Sequence, residues 1–256
     1  MPPDGNKEEE HPPSLSIVEE PPEASPVLLI GTAHVVDLAG PIRAVLAGRA
    51  LDGIAIELDA ERAHLLSPPG DGSDGPPAGV PIFARLWSVL QRRLGTDLGG
   101  GMPGSEMRTA ATVARERNIP LFLIDDPVRA MLNRLLTTMP AKERITLLIG
   151  SMAALIIPTR FVKEQIDEYA DRPEAIVAEL RLASPTIARV LLDERNEHMA
   201  ERLAQIRGRG FRQVAVVVGD AHVAGLRSEL ERRGIPVEAL GFSALREIRA
   251  PSSNSS

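Results

Sequence analysis

The stretch that decides the fold is Gln213-Val-Ala-Val-Val-Val-Gly-Asp-Ala-His222, an apolar run that ends in a glycine turn. Consecutive small and β-branched apolar residues before Gly219 are typical of a strand buried on both faces, as in a parallel sheet. A matching stretch, Val27-Leu-Leu-Ile-Gly-Thr-Ala-His34, lies near the start of the chain. Both stretches end in Gly-x-x-His, so the sequence predicts two buried strands, each followed by a turn and a histidine.

Three further apolar runs complete the predicted sheet, at residues 53–58, 120–124 and 235–240. Helical patterns lie between them, including one from Ser105, as its cap, to Asn118. Strands that alternate with helices predict an α/β fold with a mainly parallel β-sheet flanked by helices. A long helical block from Pro127 to Ile206, with a helix start at Ser184-Pro185, predicts an additional helical subdomain.

The ends of the chain differ in composition from its middle. Residues 1–25 and 249–256 are rich in Pro, Glu, Ser or Asn and poor in large apolar groups, so we expect two disordered tails. The ordered part is then one α/β domain at 26–248 with a helical insertion at about 127–206.

Composition excludes several classes of site. The formal net charge of −6 disfavours binding to nucleic acid, which needs a basic face. The chain has no cysteine, which excludes disulfides, thiolate metal sites and cysteine nucleophiles. The chain shows no signal peptide and no apolar run long enough to span a bilayer, so a soluble, cytoplasmic protein is expected. The short apolar segment Ile145 to Pro158 predicts a buried or interface helix, and we expect a homodimer.

Ionisable residues follow the predicted strands at the ends where parallel α/β sheets bind ligands. They are His34, Glu57, Asp125, Asp220 and His222. Imidazole and carboxylate ligands suit Zn, Mn, Fe or Co. The pattern therefore predicts a divalent metal site formed by His34 and His222 with Glu57. The alternative is that each histidine packs against a helix or caps it.

Glu57 lies among isoleucines and leucine in a strand that should be buried. A buried carboxylate needs a cation, a metal or hydrogen bonds. Glu57 is therefore predicted to be a metal ligand or a general base with a raised pKa. The alternative is a salt bridge to Arg62, which could itself orient the carboxylate, stabilise an oxyanion or lie on a helix surface.

Three further residues are candidates for the site with weaker support from the sequence. Arg195 and His198 share a helix face that could point at the strand ends, although spacing alone favours a solvated network with nearby acidic residues. Glu106 stands near a helix start, where it could simply complement the helix dipole. Phosphate-loop, Gly-x-Ser-x-Gly and His-Glu-x-x-His motifs are absent from the sequence.

Taken together, six motifs resemble the TraB/PrgY pheromone-shutdown family, which is related to GumN and the Tiki metalloproteases. The motifs are Leu-Ile-Gly-Thr-Ala-His-Val (29–35), Ile-Ala-Ile-Glu-Leu-Asp-Ala-Glu-Arg (54–62), Gly-Ser-Glu-Met-Arg (104–108), Leu-Ile-Asp (123–125), Asp-Glu-Arg-Asn-Glu-His-Met (193–199) and Val-Val-Gly-Asp-Ala-His-Val (217–223). They occur in the family's order and span roughly residues 27–245.

The resemblance implies an erythromycin-esterase/ChaN-like fold and a hydrolase-like site. By matching motif, that site comprises His34, Glu57, Arg62 and His222, and the resemblance also favours a role for Arg195. Tiki-type members are described as metal-dependent proteases, and PrgY-type members act against a peptide pheromone. Many family members carry a C-terminal membrane region, whereas no transmembrane segment is expected in this sequence.

The leading hypothesis is a metallohydrolase that acts on small or signalling peptides. A Mn, Co or Zn ion bound by His34, His222 and Glu57 would activate water, with Arg62 or Arg195 stabilising the oxyanion. One alternative is a non-catalytic protein that sequesters a peptide or a metal. Another is an esterase that acts on small molecules.

Overall fold

The computed structural model describes residues 25–33, 38–66, 104–146 and 173–248. Several predictions fall outside these ranges: the two disordered tails apart from Ser25, the position of His34, and the apolar segment beyond residue 146. The strands and helices given below belong to the described ranges.

The sheet has five strands in the order β3-β2-β4-β1-β5. The strands are β1 (Val27–Thr32), β2 (Gly53–Ile56), β3 (Leu121–Leu123), β4 (Val214–Gly219) and β5 (Val237–Leu240). Every neighbouring pair is parallel, so the predicted α/β fold with a mainly parallel sheet is confirmed. The all-apolar runs form the central strands, while the half-buried β3 and β5 lie at the edges.

Helices cover both faces of the sheet. They are α1 (Ala39–Ala47), α2 (Ser105–Glu116), α3 (Val128–Thr138), α4 (Pro173–Ala183), α5 (Pro185–Ala188), α6 (Glu194–Gly208), α7 (Asp220–Arg232) and α8 (Phe242–Glu247). A 3-10 turn lies at Ala63–Leu66, a π-helical turn at Arg189–Asp193, and residues 141–146 are also helical.

Two cores lie on opposite faces of the sheet. On one face, α1, α2 and α8 bury side chains such as Ile42, Met107 and Phe242. On the other face, α6 and α7 bury Met199 and Leu226, among others. A smaller third cluster joins α3 to α5 and the π turn through Leu135, Met139, Ile187 and Val190. Burial of both sheet faces explains why the strands read as continuous apolar runs.

The predicted helix caps differ from the observed ones. Gly104, with φ of 84°, precedes α2, and Ser105 is its first helical residue without a side-chain capping bond. A left-handed backbone at that point favours glycine over serine. Ser184 does precede α5 with Pro185 in the first turn, but its hydroxyl donates to Glu143 instead of capping the helix.

No helix in the described ranges is both long and apolar enough to cross a membrane.

Candidate active site at the carboxyl ends of the strands

The sheet topology brings three predicted residues together. Glu57 directly follows β2, Asp125 lies two residues after β3, and His222 lies in the first turn of α7 just after β4. Since β2 pairs with both β3 and β4 in parallel, their carboxyl ends lie side by side. Arg195 reaches them from the first turn of α6, directly after the π turn. Single π-helical turns next to an α-helix often occur at functional sites.

Arg195 is the centre of the arrangement, and its side chain is only 12% exposed. Its Nε donates to Asp125 Oδ1 at 2.9 Å, and Nη2 donates to Asp125 Oδ2 at 2.9 Å and to Glu57 Oε1. Its Nη1 lies 3.0 Å from His222 Nε2 and 3.2 Å from the Leu191 carbonyl oxygen. A guanidinium has five N–H bonds, and these contacts use them all.

These contacts set the protonation of His222. Arg195 can only donate a hydrogen bond, so His222 Nε2 must accept. The proton then lies on Nδ1, which donates to Asn196 Oδ1 at 2.8 Å. This tautomer is a neutral imidazole, with its unprotonated Nε2 facing Arg195. His222 Nε2 is also 3.3 Å from Glu57 Oε1. If the ring takes up a proton at Nε2, this oxygen can accept a hydrogen bond from the new N–H group.

The carboxylate of Glu57 is held in its ionised form. Burial raises the pKa of Glu57, but its electrostatic interactions with His222 and with Arg195 lower it. A hydrogen bond from the Gly219 N–H, at 2.6 Å to Oε2, acts in the same direction. The pKa of Glu57 therefore lies well below its ordinary value. The predicted raised pKa is wrong, because burial is outweighed by opposite charges that other elements supply.

Arg62 joins the site through aspartates. Its Nε donates to Asp59 Oδ2 at 2.6 Å and its Nη2 to Asp125 Oδ2 at 2.5 Å. The salt bridge between Glu57 and Arg62 that was the alternative prediction does not form, and Glu57 pairs with Arg195 instead. Burial raises the pKa of Asp59, but its hydrogen bonds and charge interaction with Arg62 lower it below the ordinary value.

Two members of this network were not among the predicted site residues. Asp59 is 2% exposed and Asn196 is 4% exposed. The three-residue spacing of Asp59 from Arg62, and the position of Asn196 next to Arg195, were the available sequence signals. Neither signal is specific, because polar neighbours at helical or turn spacing usually face solvent.

The remaining secondary candidates have other surroundings. Asp220 Oδ1 accepts a hydrogen bond from the Phe242 N–H at 2.9 Å, which ties the start of α7 to the start of α8. Burial raises the pKa of Asp220. Glu106 is buried in the first turn of α2 and accepts a hydrogen bond from the Ser105 hydroxyl at 3.3 Å. His198 lines a cavity beside Asp125.

The described residues do not fit a divalent metal in this arrangement. A metal would need the single lone pair of His222 Nε2, yet that atom accepts a hydrogen bond from Arg195. A cation there would face a guanidinium at about hydrogen-bond distance. Within the described ranges no group of three or more His, Cys, Asp or Glu residues is suited to a metal. The third predicted ligand, His34, lies outside those ranges.

Chemically, the site combines a neutral imidazole, an ionised carboxylate beside it, and a buried guanidinium that contacts both. His222 can accept a proton at Nε2, Glu57 can stabilise the resulting imidazolium, and Arg195 carries N–H groups near the same atoms. Such a combination supports general acid–base chemistry and stabilisation of negative charge.

Comparison with known proteins assigns the chain to a family. The TraB/PrgY/gumN family model matches residues 15–239, which is most of the chain. A curated relative, the uncharacterized protein MJ1365 of Methanocaldococcus jannaschii, is 29% identical over 214 residues. The match covers 80% of this chain and 53% of that protein, so the chain spans about half the length of this relative. The chain belongs to the TraB/PrgY/gumN family.

Proposed function

We propose that the chain is a hydrolase that cleaves a carbonyl compound, with short peptides as the leading substrate class. The observation that carries the proposal is the guanidinium of Arg195, which contacts Glu57, Asp125 and His222 at the ends of three neighbouring strands. The family resemblance to peptide-directed members favours a peptide over an ester.

His222 is the general base in this proposal. Its Nε2 takes a proton from the water that attacks the carbonyl carbon, and the protonated Nε2–H then donates to Glu57 Oε1, 3.3 Å away. The same proton passes to the leaving amine, which balances the reaction. Glu57, with its low pKa, stays ionised throughout and stabilises the imidazolium.

Arg195 couples the proton transfer to charge stabilisation. All five of its N–H groups have acceptors while His222 is neutral. When Nε2 takes a proton it can no longer accept from Nη1, so one N–H becomes available to the oxyanion that forms at the same moment. A preorganised donor of this kind contributes about 10²–10³ in kcat.

Asn196 keeps His222 in the productive tautomer. Its Oδ1 accepts the Nδ1–H bond at 2.8 Å, so the lone pair stays on Nε2, facing Arg195 and Glu57. An incorrect tautomer removes the base from the reacting side, as the orienting group in other acid–base sites shows.

A divalent metal is the other part of the hypothesis that comes from the resemblance. Mn, Co or Zn bound by His34 and His222 would have to displace Arg195 from His222 Nε2. The acid–base mechanism above also uses the Nε2 lone pair, because proton uptake breaks the Nη1–H hydrogen bond, but it requires no metal ion. Turnover measured after chelation, and again with each metal added back, therefore separates the two mechanisms.

The experiment measures product from a panel of short peptides and small esters, with wild-type chain, His222→Gln and the control Arg227→Gln. We expect His222→Gln to lower kcat about 10²–10⁴-fold, which is the usual contribution of a general base. Arg227 forms an exposed ion pair on α7, so its loss should leave turnover unchanged. Full activity of His222→Gln would refute the assignment. Stoichiometric capture without product would instead indicate a sequestering protein.

A further inference from the structure

A cavity of about 460 Å³ lies beside the candidate active site, between β3 and α6. Its lining residues are Asp59, Ala60, Phe122, Leu123, Asp125, Pro127, His198, Arg202, Gln205, Ile206 and Arg209. Asp125 belongs to both features, because its carboxylate accepts two hydrogen bonds from Arg195. The cavity therefore shares Asp125 with the network that we assign to catalysis, and its volume is within the range of small-ligand sites.

Positive charge in the cavity is available to a ligand. The two acidic lining residues, Asp59 and Asp125, are already paired with Arg62, and Asp125 also with Arg195. Arg202 and Arg209 are exposed, and no ion pair joins either of them to a carboxylate in the described part of the chain. Arg202 on α6 and Arg209 directly after it thus have no acidic partner among the described residues, while both carboxylates of the cavity are paired with arginine.

Spacing along α6 places these basic residues on one face. His198, Arg202 and Gln205 of α6, and Arg209 directly after its last residue, follow one another at intervals of three or four residues, which align side chains on a helix. The wall opposite α6 includes the apolar side chains of Phe122 and Leu123 from the edge strand β3, next to the two paired aspartates. A ligand in this cavity would thus lie between an apolar strand edge and a basic helix face.

We propose that this cavity is a substrate subsite that binds a carboxylate through Arg202 and Arg209. The proposal rests on the hydrolase function above and names its substrate class as short peptides with a carboxylate on one side of the cleaved bond. Arginine suits this task because its planar guanidinium donates two parallel hydrogen bonds to a carboxylate.

Geometry sets the length of the substrate. Arg202 lies seven residues after Arg195 on the same helix, which corresponds to about 10 Å at 1.5 Å per residue. An extended peptide spans roughly 3.3 Å per residue. The recognised carboxylate should therefore lie about three residues from the cleaved bond. Either the C-terminal carboxylate or an acidic side chain at that position has the required chemistry.

Binding of an acetylated tetra-alanine peptide to the full chain tests the proposal by calorimetry. The peptide is used as free acid, as C-terminal amide, and as an amide with glutamate at the last position. Each is measured with the His222→Gln chain, with that chain carrying Arg202→Gln/Arg209→Gln, and with that chain carrying Arg227→Gln/Arg232→Gln as a matched control on α7. The His222→Gln background prevents turnover during the measurement.

We expect the free acid to bind about tenfold or more tightly than the plain amide, in keeping with a charge-assisted hydrogen bond. The Arg202→Gln/Arg209→Gln variant should lose that preference, while the α7 control keeps it. Tight binding of the glutamate amide would identify the side chain as the recognised group. Equal affinity for all three peptides, or a preference that survives in Arg202→Gln/Arg209→Gln, would overturn the proposal.

The kinetic result separates this proposal from the proposed function. In an active chain, Arg202→Gln/Arg209→Gln should raise KM for acidic peptides and leave kcat nearly unchanged. Carboxylate-dependent binding without turnover of any peptide would support the subsite and refute the hydrolase. Turnover that ignores the carboxylate would support the hydrolase and refute the subsite.

Discussion

Replacing Arg195 by methionine tests the central claim about the site. The aliphatic stem is retained while the guanidinium is lost, so Glu57 loses its arginine and His222 Nε2 loses its donor. Asp125 keeps its ion pair with Arg62. Removing one partner of a buried ion pair costs about 3–5 kcal/mol because a charge is left buried without compensation. We expect the free energy of unfolding to fall by about that amount at neutral pH, out of roughly 5–15 kcal/mol for a typical domain.

The loss should depend on pH in a defined direction. In the wild-type chain the pKa of Glu57 is lowered, so its contribution to stability is complete above the ordinary carboxylate pKa and is lost as pH falls through the folded-state pKa. In Arg195→Met, burial acts with less opposition and the pKa of Glu57 should rise. As the pH falls, protonation of Glu57 then removes the uncompensated buried charge from the variant. The difference in stability between the two proteins should be largest near pH 7 and smaller near about pH 5.

Urea unfolding followed by far-ultraviolet circular dichroism measures this difference at both pH values. Arg227→Met is the control, because its ion pair with Glu231 has side chains 52% and 49% exposed. Such a surface pair contributes about 0–1 kcal/mol. A loss in Arg195→Met no larger than in this control would refute the reasoning. A large loss that does not change with pH would refute the part that concerns Glu57.

Glycine substitutions test how closely the site is packed. Gly225→Ala would place a methyl group on Asn196 Nδ2, so we expect a loss of about 1–3 kcal/mol by urea unfolding. Turnover should also fall, because the hydrogen bond that His222 Nδ1 donates to Asn196 Oδ1 is disturbed. The methyl group added by Gly31→Ala would overlap the carboxylate of Asp220 at the start of α7, and we expect a comparable loss in the free energy of unfolding. Gly208→Ala, where the added methyl group meets open space, should be neutral or stabilising by up to about 1 kcal/mol in the same assay. Equal effects in all three variants would contradict the packing described here.

Much of the sheet was predictable because its signals are local. A continuous apolar run bounded by a glycine or by polar residues identifies a strand wherever it lies, and the five predicted runs became the five strands described here. Helix caps were less predictable. At Gly104 the backbone required a positive φ, and at Ser184 a competing carboxylate on Glu143 took the hydroxyl.

Convergence of Glu57, Asp125 and His222 also followed from the sequence, since residues after parallel strands share one edge of the sheet. The partners of these residues did not follow. Arg195 contacts Glu57, which lies 138 residues away in the sequence. Arg62 donates its hydrogen bonds to Asp59 and Asp125 and not to Glu57. Sequence spacing could not predict which carboxylate each arginine would bind. The pairing depends on where α6 and the turn after β2 lie relative to the strand ends.

What the sequence alone determined is the set of strands, their parallel arrangement and the edge at which ionisable groups gather. Only the tertiary structure decided the tautomer of His222, the ionised state of Glu57 and the central position of Arg195. The physical reason is that apolar patterning is encoded residue by residue, whereas a pKa is the sum of burial and of charges brought from distant elements. Burial alone would have raised the pKa of Glu57, and the charges that fold against it determine the opposite outcome.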